Sequence, residues 1–214
     1  VKATGKRMVG WQETARADIG EGDLFQHWIF LKRSNADAIH SGEAMKDKPE
    51  SYRKLMKLYA DFMKEASKDP ELGIGKGAKV ILSPSRYAYL DTPYAEASID
   101  STQAAEQARL GMMAYEKQTV AEMYDWDPMT FNPTVEEPTQ KVAGIEAAVW
   151  CETVNNFRDL QFLLMPRLAG MAEKGWSRVE QTSWEEYRLR LAGQVPLWEK
   201  ANWNYFKSSL VFDK

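Results

Sequence analysis

Cysteine is almost absent: Cys151 is the only one in 214 residues. An intrachain disulfide is therefore excluded, and the sequence carries no sign of oxidative folding. Histidine is nearly as scarce. His27 and His40 are too few and too isolated to build a zinc cluster, so no metal and no cofactor are expected. No apolar run reaches membrane-spanning length, and no membrane partner is expected. Charge of one sign is lacking too. With 28 basic and 31 acidic side chains the net charge is −3, which leaves no electrostatic footprint for nucleic acid. No signal peptide is visible from Val1 onward, and that absence assigns no compartment.

What remains is an ordinary globular composition, 44% hydrophobic and 28% charged, of a size that suits one domain or a large piece of one. Aromatics make up 12%, and several fall at strand ends and in loops instead of on helical stripes. Arg7 to Trp11 and Leu24 to Trp28 are short apolar runs, each ending in Trp. The stretch from Lys32 to Asp47 is polar and irregular. Pro49 opens a helix to about Lys68, with Tyr52, Leu55, Met56, Tyr59, Phe62 and Met63 on one face. Asp69-Pro70 and the glycines at 73, 75 and 77 end it. Ala78 to Leu82 reads as a strand, Gln103 to Met123 as a helix weakened at Gly111, and Val142 to Trp150 as another strand. A buried helix follows over Asp159 to Lys174, interrupted at Pro166, and Ser183-x-x-Glu186 caps a last one to about Ala192. This alternation predicts an α/β fold with a parallel sheet. Four strands ending in aromatic residues suggest a (β/α)8 barrel, with about four β/α units and C-terminal helices present.

Two spacings stand out. Tyr89 with Asp91, and Trp150 with Glu152, each join a ring to a carboxylate with one residue between. On a strand, residues i and i+2 share a face. A flat ring beside a hydrogen-bond acceptor suits a sugar: the ring stacks on C–H bonds, and the carboxylate accepts from hydroxyls.

Six ordered segments carry a family resemblance. They are Gly10-Trp11-Gln12-Glu13; Gln26-His27-Trp28; Ser83-Pro84 through Tyr89-Leu90-Asp91; Tyr124-Asp125-Trp126-Asp127-Pro128; Gly144-Ile145 to Trp150-Cys151-Glu152; and Pro166-Arg167 to Trp176-Ser177. Together they resemble strands five to eight, and the following helix, of the catalytic barrel of family 20 glycoside hydrolases, the β-N-acetylhexosaminidases. The resemblance implies the C-terminal half of that barrel over 1–214. It implies retaining hydrolysis in which the substrate's own 2-acetamido group is the nucleophile. Tyr89 would donate its hydroxyl to the acetamido oxygen. Trp11, Trp28 and Trp150 would wall the acetamido methyl and ring face. Asp91 and Glu152 would accept sugar hydroxyls, and Trp126 would stack on the next sugar.

The family's acid/base segment, like Gly-Gly-Asp-Glu at the fourth strand, has no counterpart among these 214 residues. The isolated chain is therefore expected to be inactive. Its expected partners are an N-acetylhexosamine-containing glycan and either the N-terminal half-barrel or a second copy. A non-catalytic carbohydrate-binding protein or a half-barrel scaffold is the alternative. Blander roles are open to single residues: barrel core for Trp11 and Trp28, loop packing for Trp126, and a structural role for Glu13. An internal ion pair is expected of Arg167 with Glu173, and a core position of Cys151. His27 should face away from Trp28, and Glu136-Glu137 reads as solvated loop.

Overall fold

The computed structural model describes residues 1–29, 46–130, 137–178 and 183–212. Most of the stretch expected to be polar and irregular, and Glu136, lie outside the described residues. The chain divides into two compact units, Val1–Ser85 with Asn132–Gly144, and Arg86–Phe131 with Ile145–Lys214.

The first unit holds the sheet. Strands β1 (Val9–Trp11), β2 (Leu24–His27), β3 (Lys79–Leu82) and β4 (Val142–Ile145) lie side by side in that order. The β1–β2 and β2–β3 pairs are parallel, with Val9 opposite Leu24 and Phe25 opposite Val80. Phe25, Val80 and Leu82 alternate inward and are fully buried, as a period of two requires. Helices α1 (Glu50–Ala66) and α2 (Asp69–Gly75) provide the crossover from β2 to β3. The sequence places α1 within two residues at each end, but Asp69-Pro70 starts a second helix instead of ending the region. Pro70 at its first turn loses no hydrogen bond, and Asp69 suits an N-terminus. Gly73 is required by close approach: a Cβ there would lie 2.5 Å from the Phe25 ring. Among the described residues the apolar side of α1 is only partly covered: Met56, Phe62 and Met63 are half-buried, while Leu55 and Leu58 are each 61% exposed.

β4 is shorter than expected. A strand persists only while a neighbour supplies a ladder, and β3 ends at Leu82, with a helical turn at Ser85–Ala88. Beyond Ile145 one isolated parallel bridge remains, Tyr89 with Ala148.

The second unit is helical, with an aromatic core. It contains α3 (Ala104–Arg109), α4 (Val120–Tyr124), α5 (Phe157–Leu164), α6 (Arg167–Trp176), α7 (Trp184–Ala192) and α8 (Val195–Lys200). Tyr94 stacks on Phe206 at 3.9 Å and meets Phe162 edge-on at 5.8 Å. Burial of each phenylalanine ring is worth about 2–3 kcal/mol. The Tyr94 hydroxyl donates at the end of α5, 3.0 Å from the Phe162 carbonyl, which satisfies a helix terminus that would otherwise be buried unpaired. The chain breaks between α5 and α6 at Pro166, as the sequence implies. Ser183 caps α7 through the Glu186 amide at 3.3 Å.

The helix expected over Gln103 to Met123 is instead two short ones. Gly111 has φ +102°, a conformation only glycine adopts readily, and a Cβ there would lie 2.8 Å from the Pro93 nitrogen. Continuing the helix through this point would drive a side chain into the 91–93 backbone.

Candidate functional site

In the first unit, Gln12 is a buried hub. Its carbonyl oxygen accepts from the amides of Trp28 at 3.2 Å and Ile29 at 3.0 Å, and lies 3.0 Å from His27 Nδ1. Its amide donates to the Ala66 carbonyl at 2.9 Å and to Asp69, which also carries the Arg16 guanidinium at 2.8 Å. This fixes the chain where β2 ends. His27 is buried, and desolvation lowers its pKa to about 4, so it is neutral at ordinary pH. It is a packed structural histidine. Glu13 accepts from the Trp28 indole N–H at 3.2 Å and sets the ring's direction. Trp11 and Trp28 are both half-buried, at the ends of β1 and β2.

In the second unit, Tyr89 and Trp150 come together. Their rings meet edge-to-face at 5.7 Å, with Tyr115 6.2 Å from Tyr89. The Tyr89 side of this contact is buried, 4% exposed, while Trp150 is 36% exposed. Burial, reinforced by Tyr115, pushes the Tyr89 pKa well above its usual value. Its hydroxyl therefore stays protonated and able to donate.

Asp91 is 1% exposed, and neither carboxylate oxygen makes a well-formed hydrogen bond to any described residue. Burial raises its pKa to about 6. The neighbouring Glu152 adds to the rise, while its own amide, the Trp150 amide and the Arg167 charge oppose it. An unsatisfied buried carboxylate is costly, and such groups mark sites where a ligand supplies the partners. Glu152 itself is exposed. Trp126 is buried and stacks on Tyr87 at 5.7 Å with planes 9° apart.

The backbone around Asp91 is tied on several sides. The Leu90 amide donates to Ala148, and the Met112 amide to the Asp91 carbonyl, both at 2.8 Å. The Gly111 amide donates to Thr153 Oγ1 at 3.0 Å, next to Glu152. Arg109 pairs with Asp159, which accepts in turn from the Asn155 amide at 2.9 Å. Residues 109–112 thus join the turn that carries Asp91 to the segment that carries Glu152. Sequence reasoning saw Gly111 only as a weak point in a helix and missed Tyr115. An isolated glycine in a helical run was the available signal.

Two expectations fail here. Arg167 and Glu173 do not pair. Six residues apart on a helix, they point to different faces. Arg167 donates to backbone carbonyls, while Glu173 accepts from Tyr124 and Arg190, both at 2.6 Å. Cys151 is exposed, because the ladder that would make its neighbours alternate has already ended.

Residues 1–179 match the family described as glycosyl hydrolase family 20, catalytic domain. A β-N-acetylhexosaminidase of Cellulomonas fimi is 30% identical over 99% of this chain and 34% of its own length. The solved family 20 β-N-acetylhexosaminidase of Streptomyces coelicolor A3(2) superposes with a TM-score of 0.67 at 31% identity, covering 97% of this chain and 34% of that one. A D313N mutant β-hexosaminidase of Streptomyces plicatus, solved in complex with the product N-acetylglucosamine, gives 0.67 and 31% over 99% of this chain and 34% of that one. The chain thus spans about a third of the length of these relatives.

Proposed function

Because this chain belongs to glycosyl hydrolase family 20, we propose that it is part of a retaining β-N-acetylhexosaminidase and supplies the residues that hold the terminal sugar. In that reaction the substrate's acetamido oxygen attacks the anomeric carbon and displaces the leaving group, giving an oxazolinium ion that water opens. A Glu protonates the leaving oxygen and then activates the water, and an Asp beside it orients the acetamido N–H. We place that Asp-Glu pair outside these residues, since no segment here resembles it. The same reading makes 1–214 the C-terminal half of the barrel.

What the chain itself does is bind and orient. Tyr89, held protonated by burial, donates to the acetamido oxygen and keeps it in line for attack. Trp150 presents an open ring face to the sugar. Asp91 and Glu152 accept its hydroxyls, and Trp126 packs towards the following sugar. The family resemblance also assigns Trp11 and Trp28 to the apolar wall. The observation that carries this reading is Asp91: a buried carboxylate, unsatisfied among the described residues, two residues from a protonated tyrosine. N-acetylglucosamine, the ligand of the Streptomyces plicatus structure, is the natural probe.

Two assays test the reading. A chromogenic N-acetylglucosaminide incubated with this polypeptide alone should show no turnover, and clear turnover would place the acid/base within it. Supplying the N-terminal half of the barrel in trans should restore hydrolysis. Sugar binding without hydrolysis in the reconstituted protein would instead favour a non-catalytic carbohydrate-binding role.

A further inference from the structure

Arg167 carries a buried charge that the proposed mechanism does not use. It is 3% exposed at the start of α6. Among the described residues no carboxylate forms an ion pair with it, and its Nε has no hydrogen-bond partner. Instead its two terminal nitrogens reach backbone carbonyls: Thr92, Pro93 at 3.4 Å, and Gln118 at 2.6 Å. The guanidinium carbon lies over the Tyr94 ring, 3.6 Å from its centre. Arginine's planar fork suits such a site in a way lysine's point charge does not.

Two of these carbonyls belong to the residues immediately after Asp91. The Met112 amide holds the Asp91 carbonyl itself, and Gly111 lies close against it. The clamp therefore closes directly behind the unsatisfied carboxylate. The titratable groups bearing on Arg167 are Tyr94, Glu96 and Asp91. Glu96 is already bonded to Ser208 Oγ at 2.7 Å and to the Val120 amide at 3.2 Å. The Asp91 carboxylate makes no well-formed hydrogen bond to any described residue. Bearing on Asp91 are Arg167 on the favourable side and Glu152 on the other, with Tyr89 beside it. A buried cation and a buried anion thus share one short loop without touching, and each lowers the cost of the other's charge.

We propose that Arg167 is the positioning residue of the sugar-holding site: its fork fixes the Thr92–Pro93 backbone, and its charge keeps Asp91 ionised as a hydroxyl acceptor. The inference rests on the reading of Asp91 given above, but its electrostatic core can be measured without sugar.

The experiment is a carboxyl-carbon NMR titration of Asp91 in the 214-residue chain, with Arg167 Nε followed in the same samples. The Nε resonance should move with the Asp91 midpoint, and Asp91→Asn should abolish that movement, which excludes Glu96 as its source. Arg167→Met should raise the Asp91 midpoint by a few tenths of a pH unit, and Arg167→Lys, which keeps the charge, by clearly less. A merely structural arginine would change stability and leave the midpoint where it is. An Nε resonance indifferent to Asp91, or a folded Arg167→Met chain with an unchanged midpoint, overturns the proposal. Where Arg167→Met does not fold, the Nε titration of the unmodified chain decides. N-acetylglucosamine binding, followed by tryptophan fluorescence with the N-terminal half of the barrel supplied, separates the two readings. Coupling without sugar binding supports the charge link and counts against the proposed function, whereas binding without coupling overturns the role of Arg167 alone.

Discussion

Tyr89 with Asp91 and Trp150 with Glu152 are the same pattern twice, yet the fold treats them in opposite ways. The first pair is buried, and the second is partly open, with Trp150 at 36% and Glu152 exposed. The difference comes from what covers each segment. The turn carrying Asp91 lies beneath Gly111 and Met112 and against Arg167, while the 150–152 segment follows the end of β4 and is tied through Thr153. An i, i+2 spacing fixes which way two side chains point relative to each other. It says nothing of how deep they lie. The buried pair has the titration anomaly and the open pair has the accessible ring, so holding a sugar draws on both.

The largest effect should come from removing the cover of the buried pair. In Gly111→Ala the new Cβ meets the Pro93 nitrogen at 2.8 Å and the Asp91 carbonyl oxygen at 2.9 Å, at a φ of +102°. Strain and displacement together should cost about 2–4 kcal/mol. The urea midpoint should fall accordingly, and the Asp91 midpoint should drop towards its ordinary value as water reaches the carboxylate. A chain of unchanged stability would mean that the 91–93 turn is not held this way.

Next is the pH dependence that the buried pair alone should generate. Asp91 has its pKa raised from 3.8 to about 6 in the folded chain. The folded state therefore binds this proton more tightly than the unfolded state does. Stability from this group is fully present below about pH 4 and is lost as the pH rises through 6. The loss is on the order of 2–3 kcal/mol. Asp91→Asn should thus be more stable than the parent at pH 7.5 by up to that amount, with the advantage vanishing near pH 4. It should also bind N-acetylglucosamine at least tenfold more weakly. Denaturation curves at the two pH values provide the check, and a pH-independent difference would contradict the assignment.

The open pair should behave inversely. Trp150→Ala removes one edge-to-face contact and a half-exposed ring, for about 1–2 kcal/mol of stability. Its cost in sugar affinity should be far larger than its cost in stability, which isothermal titration against N-acetylglucosamine would show. Equal losses would make Trp150 a packing residue.

How far the sequence reveals this arrangement depends on the kind of interaction. Period-two and helical patterns are local, and they locate β1 to β3, α1 and α7 to within a few residues. The family motifs pick out both pairs because those residues are ordered along the chain. What stays hidden is what depends on a distant neighbour. The end of β4 at Ile145 is set by where β3 ends, and the break at Gly111 by the 91–93 backbone. Arg167 looks like half of an ion pair until the carbonyls of Thr92 and Gln118 are seen around it. Burial depth, and with it the pKa of Asp91, follows from these long-range contacts and has no signature in residue spacing.

The smallest effect offers the sharpest comparison of the pairs, because it reads one through the other. Glu152 is exposed, so Glu152→Gln should change stability by less than about 0.5 kcal/mol. Yet Glu152 is one of the groups that raise the Asp91 pKa, and the glutamine keeps its shape while removing its charge. The Asp91 midpoint should therefore fall by a few tenths of a pH unit, with the urea midpoint unmoved. Because both carboxylates are assigned to one sugar, the same variant should weaken N-acetylglucosamine binding while leaving Asp91 more fully ionised near pH 6. If the Asp91 midpoint does not respond, the two carboxylates are too far apart to share a sugar, and Asp91 alone remains as the hydroxyl acceptor.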